Sequence, residues 1–463
     1  MTFVPMLQRY LHRLFGNRDR QARDARADFE TLNAGAPLKS ERAGAQADTA
    51  DEPDPPAGFI CRETVLGRDQ RVAGYQFMLQ QSTQKRLRSS SRRIHHVYAE
   101  VLVRNVLKLD VAKLLGHRHA FLDVPDSFLE HPSIRELQPS RSVLTVHLLD
   151  EPDAPAPTAL LESVRRLRKL GYRIAVDVSS VGAENAFLLP EADFAILRAN
   201  EGSPERTDYA VMRLRTVNAG AKILARELPS QDDFQFFSGL GATYFQGPFI
   251  TRREDWSGNA IGPNTARIAA LLARLRRDAD THEIAQLLSQ DAALSLRLMR
   301  YINSASIGLR EEITSIERAL LLLGREQLYR WLMLLIYSAD KGTARSSALL
   351  ESALVRARLM ELLGKDRPEG ERDALFLVGL LSLVDVILQV PIEKAMASLG
   401  TAPEIEAAVV RGEGPMAPLL RVAIACEQGH GELESAAAAA HIDAQAASRH
   451  HLEALAWAMQ VSG

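Results

Sequence analysis

An α/β domain followed by an all-α domain is the fold class this sequence predicts, and three observations predict it. Short apolar runs alternate with helical segments between residues 58 and 252, the pattern from 264 to 459 is helical almost throughout, and Trp256-Ser-Gly-Asn-Ala-Ile-Gly-Pro-Asn264 interrupts the two. At 463 residues the chain is too long for one core, since a domain takes about 150 residues. A hydrophobic content of 46% and a charged content of 25% are those of a globular protein. The net charge of −2 excludes a global field that would recruit nucleic acid or an anionic membrane. Cys61 and Cys426 lie far apart and follow no metal-ligand spacing. With no leader pattern read at the start, a reduced cytoplasm is the compartment expected. Residues 374–390 come nearest to a membrane span, but Ser382, Asp385 and Gln389 interrupt them, so they read as a buried helix.

The first 57 residues stand apart. Val4, Leu7, Leu11, Leu14 and Phe15 fall at helical spacing, with Arg9, Arg13, Arg18 and Arg20 on or beyond the other face. A membrane-surface anchor is the sharper reading of that pattern; a helix docked on its own protein or frayed in solution is the preferred one. A linker rich in Ala, Asp, Pro and Gly follows, with Pro53-Asp-Pro-Pro56 at its centre.

In 58–252 the buried strands are expected at 72–79, 120–124, 143–149, 173–178, 193–197, 222–225 and 243–245. Repeated strand–helix units imply a parallel sheet, and this number of them a TIM-like barrel, closed or nearly so, with one unit trimmed because the span is short. Between the third and fourth strands Thr158 is placed to cap a helix with the stripe Leu160, Val164, Leu167 and Leu170, ending at Gly171. Residues 253–263 read as the linker, and 264–459 as the helical domain. There Thr281 is expected to cap one helix, residues 291–302 to form a second, and Thr314-Ser-Ile-Glu317 to open a leucine run stopping at Gly324. The alanine tract 436–440 reads as helix ending near Trp457.

Arg71-Val-Ala-Gly-Tyr-Gln-Phe-Met-Leu-Gln80 resembles the opening strand of the EAL domain, whose G-x-E-x-L-x-R run supplies a metal-binding glutamate and a phosphate-binding arginine. The resemblance covers most of 58–252 and places the family's functional positions on this chain. The opening pair falls on Gln76 and Gln80, the asparagine after the next strand on Asp123, and the second metal glutamate on His147. The paired aspartates fall on Asp177 and Val178, the lysine and aspartate of K-I-D on Ile196 and Arg198, and two later glutamates on Arg226 and Pro229. The closing motif survives as Phe245-Gln-Gly-Pro-Phe249 with Gln246 in place. Hydrolysis with two metal ions needs anionic oxygens. The resemblance therefore implies a barrel without catalysis, metal or other cofactor. Gln76, Asp123, His147, Asp177, Arg198, Arg226 and Gln246 are its candidate ligand-binding residues. Internal ion pairs such as arginine with Asp177 are the favoured reading of this mouth; metal held by Asp123, His147 and Asp177 is disfavoured, and phosphate held by the arginines is the alternative.

Asp291-Ala-Ala-Leu-Ser-Leu-Arg-Leu-Met-Arg-Tyr-Ile-Asn-Ser-Ala305, followed by 313–324, resembles the HDOD signature, with Asp291, Asn303, Ser304 and Gly324 at its marked positions. HDOD domains are related to HD-type phosphohydrolases without their metal chemistry. Gly379-Leu-Leu-Ser-Leu-Val-Asp385 agrees, offering Ser382 and Leu383 where a His-Asp pair would stand. Asn303 reads as a helix-ending cap before a binding residue. The basic run Lys85, Arg86, Arg88, Arg92 and Arg93 has no interleaved aromatic residue and reads as a solvated face, so no nucleic-acid partner is expected. His95-His96, His117, His119 and His450-His451 read as surface histidines. The combined order is similar to that of EAL–HDOD signalling proteins. It implies a bacterial regulator in or near cyclic di-GMP circuits that acts through protein partners, with metal-independent cyclic di-GMP binding as the alternative and phosphodiesterase activity third.

Overall fold

The computed structural model of the chain describes residues 60–79, 92–108, 115–148, 154–178, 183–199, 204–277, 279–303, 313–337, 346–428 and 433–462. The amphipathic pattern at the start, Gln80, Ser304 and most of the basic run lie outside them.

Eight strands close a barrel in chain order. They are β1 (Ile60–Gly67), β2 (Val72–Leu79), β3 (His119–Pro125), β4 (Ser142–His147), β5 (Arg173–Asp177), β6 (Phe194–Arg198), β7 (Lys222–Arg226) and β8 (Tyr244–Gln246). Strands β2 to β8 run parallel, while β1 runs antiparallel to both its neighbours, with Glu63 opposite Gln76 and Val65 opposite Gln246. The seven strands expected from the sequence are present; β1 is the one missed. Its run Arg62-Glu-Thr-Val-Leu66 carries two charges, yet Arg62 is buried because the helical half covers that face.

The barrel is trimmed in its crossovers, and every strand is kept. Helices α1 (Arg92–Lys108), α2 (Pro157–Lys169), α3 (Pro204–Val217) and α4 (Gln231–Gly239) follow β2, β4, β6 and β7. After β3 and β5 the chain instead runs through 3₁₀ turns at Asp126–Glu130, Pro132–Glu136, Pro139–Arg141 and Ala183–Glu191. Pro132, Pro139 and Pro190 sit in these segments and bar a long α-helix by removing N–H donors and clashing with the preceding turn. In α2 Ala156 occupies the cap position ahead of Pro157, so Thr158 is no cap; Leu160, Val164 and Leu167 are buried, while Leu170 is exposed beyond the helix end.

Side-chain alternation fills the bore. Val65, Phe121, Val143, Ala175, Phe194, Ile196 and Leu224 form an apolar plug, with Phe121 and Phe194 meeting edge to face at 5.4 Å. Gly74 of β2 is required, since a Cβ there would stand 2.5 Å from the His119 carbonyl on the neighbouring strand.

From Pro263 onward the described residues are chiefly helical: α5 (Pro263–Arg276), α6 (Thr281–Ser289), α7 (Ala292–Ile302), α8 (Ile316–Ile336), α9 (Ser346–Leu363), α10 (Glu369–Leu381), α11 (Val384–Leu388), α12 (Ile392–Leu399), α13 (Pro403–Glu406), α14 (Ala417–Gln428), α15 (Leu433–Ala439) and α16 (Ala444–Ser462). Local chemistry moves several expected boundaries. Asp280 caps α6 in place of Thr281, and Ser315 caps α8. Gly324 kinks α8, with φ 74° and ψ 166°, instead of ending it, because glycine adopts the left-handed region without steric penalty. The 374–390 segment divides into α10 and α11 at Ser382 and Leu383, and the alanine tract belongs to α15, separate from the helix that carries Trp457. Among the described residues no helix is long and apolar enough to cross a membrane.

Candidate functional site

Alternation along the strands sends one polar side chain after another to the C-terminal mouth of the barrel, above the apolar plug. There the structure brings together Gln76, Asp123, His147 and Arg226. The Gln76 Nε2 donates to Asp123 Oδ2 at 2.8 Å, Arg226 Nη1 reaches Oδ1 of the same carboxylate at 3.2 Å, and His147 Nε2 lies 3.4 Å from Oδ2. Arg226 Nη2 donates to Thr145 Oγ1 at 3.1 Å, so a guanidinium that is only 2% exposed is anchored at two points. Burial opposes the charge on Asp123, but Arg226, His147 and Arg198 outweigh it and hold the carboxyl well below the usual carboxylate range. Beside Arg226 on the neighbouring strand, Arg198 Nε donates to Asp177 Oδ2 at 2.6 Å and Nη1 donates to Glu227. Asp177 is buried at 4% side-chain exposure. The sequence-level candidates thus form two adjacent ion-paired groups.

Two further mouth residues were not legible. Glu63 of the unrecognised β1 accepts from Gln246 Nε2. Glu227 follows β7 with φ 61°, a left-handed conformation uncommon for a residue with a side chain. The available signals were the acidic residue opposite Gln76 and the one following Arg226. Gly247 explains the surviving closing motif: with φ 148° it packs on the β7–α4 loop, where a Cβ would lie 2.3 Å from the Leu228 nitrogen. Ile196, where the resemblance implies a lysine, is wholly buried in the plug. Among the described residues no group of three His, Cys, Asp or Glu side chains is placed to hold a metal ion.

The second candidate centre lies in the helical half. Gly379 permits α10 to cross α9 closely, since a Cβ would come within 2.5 Å of the Ala357 backbone. Beside that crossing, Arg356 donates from Nη1 to Ser382 Oγ at 3.2 Å and from Nε to Glu427 Oε2 at 2.6 Å. Asp385 is buried and paired with Arg253. Asp291 caps α7 through the Ala293 and Leu294 N–H groups. Asn303 follows α7 and clamps the returning chain: its Nδ2 donates to the Ile313 carbonyl at 2.7 Å and its Oδ1 accepts from the Ile313 N–H at 2.8 Å. Barrel and helices share a buried polar bridge. Arg118 Nη1 donates to the Tyr75 hydroxyl at 2.6 Å and to Glu351 Oε2 at 2.8 Å, and the Tyr75 hydroxyl donates to Glu351. Burial opposes the Glu351 charge, but Arg118 and Arg62 outweigh it and hold the carboxyl below its ordinary range.

The histidines correct the surface reading. His451 is 1% exposed with neither ring nitrogen paired, and burial with Arg62 nearby lowers its pKa to about 3. His96 packs against Phe128 and His131, and His119 is half-buried at the other end of the bore.

The HDOD domain family matches residues 263–407. The uncharacterized protein YuxH of Bacillus subtilis is 22% identical over 405 residues, covering 86% of this chain and 97% of that protein. The cyclic di-GMP phosphodiesterase CdgJ of Vibrio cholerae is 23% identical over 367 residues, covering 78% and 83%. The chain fits the EAL–HDOD type. Solved EAL structures resemble the barrel half of the chain in fold. The Bacillus subtilis YkuI protein, with an EAL domain in complex with substrate c-di-GMP and calcium, is 15% identical over 50% of this chain and 71% of its own, at a TM-score of 0.34.

Proposed function

We propose that this chain is a non-catalytic scaffold of bacterial signal transduction, in or near cyclic di-GMP circuits. A barrel domain of residues 58–252 and a helical domain of 264–459 pack together and present a surface to protein partners. The observation that carries the reading is the pairing at the mouth: both aspartates accept from guanidinium groups, Asp123 from Arg226 and Asp177 from Arg198. A divalent cation requires anionic oxygens free to turn toward it, and a neighbouring guanidinium repels it. The mouth residues therefore do not fit the two-metal centre that an EAL phosphodiesterase would need. The Arg356–Ser382–Glu427 group supports the same reading for the helical domain.

Calorimetry of the full chain with cyclic di-GMP, with and without magnesium, together with a hydrolysis assay in magnesium and manganese, tests this. No heat of binding in the micromolar range and no turnover are expected. Turnover abolished by Asp177→Ala, or metal-independent binding abolished by Arg198→Gln, would overturn the scaffold in favour of an enzyme or a receptor respectively.

A further inference from the structure

The N-terminal end of the bore is built differently. A recess of about 410 Å3 opens beside the starts of β5, β6 and β7, lined in part by Arg168, Arg173, Asp193, Phe194, Asn218 and Lys222. Its wall is rigid. Asn218 Nδ2 donates to the Leu189 and Ala192 carbonyls, both at 2.9 Å, and its Oδ1 accepts from the Ala221 N–H at 3.1 Å. Arg168 is neutralised by Asp193 at 3.1 Å and Glu191 at 2.7 Å. Asp193 Oδ2 also accepts from the Ile174 N–H at 2.9 Å, which leaves little of that carboxylate to answer another cation.

Arg173 and Lys222 are not answered. Among the described residues neither has a carboxylate within ion-pair distance. Arg173 Nη1 donates to His119 Nε2 at 2.9 Å, which fixes His119 as the neutral tautomer with its proton on Nδ1. The Lys222 ammonium sits 5.7 Å from the Phe194 ring centre and 5.6 Å from that of Tyr244. The recess thus holds two uncompensated cations over an aromatic floor, and its volume falls in the range of small-ligand sites, about 300–1,000 Å3.

We propose that this recess binds a small phosphate monoester, with the phosphate held between the Arg173 guanidinium and the Lys222 ammonium and the remainder of the molecule lying along the Asn218 wall. A planar guanidinium offers a fork that matches two phosphate oxygens, and the lysine adds a point charge. Two cations favour a dianionic monoester over a phosphodiester, which carries one charge per phosphate. The proposal is independent of the mouth, which faces the other way along the bore.

The test is calorimetry and thermal melting of the full chain with inorganic phosphate, guanosine monophosphate and cyclic di-GMP, at ionic strength matched with chloride. Saturable binding of inorganic phosphate, of guanosine monophosphate or of both is expected, in preference to cyclic di-GMP. A gain for guanosine monophosphate over inorganic phosphate identifies a nucleotide-sized ligand, and equal binding identifies phosphate itself. Loss of one charge-assisted contact should weaken binding at least about tenfold in Lys222→Gln and in Arg173→Gln. Lys222 is exposed, so Lys222→Gln keeps the test decisive even where Arg173→Gln lowers stability. Absence of saturable binding at millimolar probe, or affinity unchanged in Lys222→Gln, overturns the proposal.

Discussion

The two ends of one bore handle charge in opposite ways. At the mouth, Arg198 and Arg226 each meet a carboxylate that is itself partly withdrawn from water. At the other end, Arg173 and Lys222 face a recess whose only lining carboxylate, among the described residues, already serves Arg168. The difference separates cations that hold a fold together from cations left over for something else. Buried charge without a partner is costly, so the mouth had to be closed internally, whereas half-exposed cations at the other end are stabilised by water until an anion arrives.

That contrast predicts its largest effect at Asp123. Asp123→Ala leaves the 2%-exposed Arg226 guanidinium without its carboxylate. Removing one partner of a buried pair costs about 3–5 kcal/mol, so the denaturant midpoint should fall sharply with an unchanged slope. Unaltered stability would mean that the mouth pairs are ornamental and that its arginines are as available as those at the far end.

How much of the molecule was readable from its sequence follows the range of the forces involved. The strands β2 to β8 were legible because burial on both faces leaves continuous apolar runs such as Ile174-Ala-Val176. Strand β1 was not, because its charged residues are compensated by groups far away in sequence. Arg62 lies against the Tyr75 ring, and the bridge that shields it joins Arg118 to Glu351 over 233 positions. The same distance hid His451, whose burial comes from packing that no local pattern encodes. Two caps were legible to within a residue, Asp280 and Ser315 winning because their side-chain oxygens reach the first free N–H groups, whereas Thr158 lies inside the helix that starts at Pro157 behind Ala156. Of the charged and amide residues of the mouth, those on β2 to β8 were found, Glu63 was missed together with β1, and Glu227 was missed because its place depends on a left-handed turn after β7.

A second, smaller effect separates the two ends by pH. Burial, then Arg173 and Lys222, lower the His119 pKa to about 4. The unfolded chain, with a histidine pKa of about 6.5, takes up its proton first, so stability falls as pH drops from about 6.5 to about 4. Asp123 works lower down: its folded carboxyl is depressed, so its contribution is complete above the unfolded value of about 3.9 and is lost as pH falls below it. Urea titrations at several pH values should show His119→Gln flattening the upper window by on the order of 1 kcal/mol after solvent screening. Asp123→Asn should flatten only the lower one. A single window shared by both variants would show that the ends are electrostatically coupled through the bore.

The smallest stability effect is the one expected at Lys222, and its smallness is what distinguishes the far end from the mouth. The side chain is exposed and makes no ion pair among the described residues, so Lys222→Gln removes only an aromatic contact at the rim. Substitutions of that kind change stability by within about 0.5 kcal/mol. Melting without ligand should therefore match the parent chain, while the upward shift produced by guanosine monophosphate or phosphate should disappear. Asp123→Ala should do the reverse, lowering the melting temperature while preserving whatever shift the far-end probe gives. Should Lys222→Gln instead destabilise the chain as strongly as a mouth variant, the lysine is part of the fold's own charge balance and both ends of the barrel obey one rule.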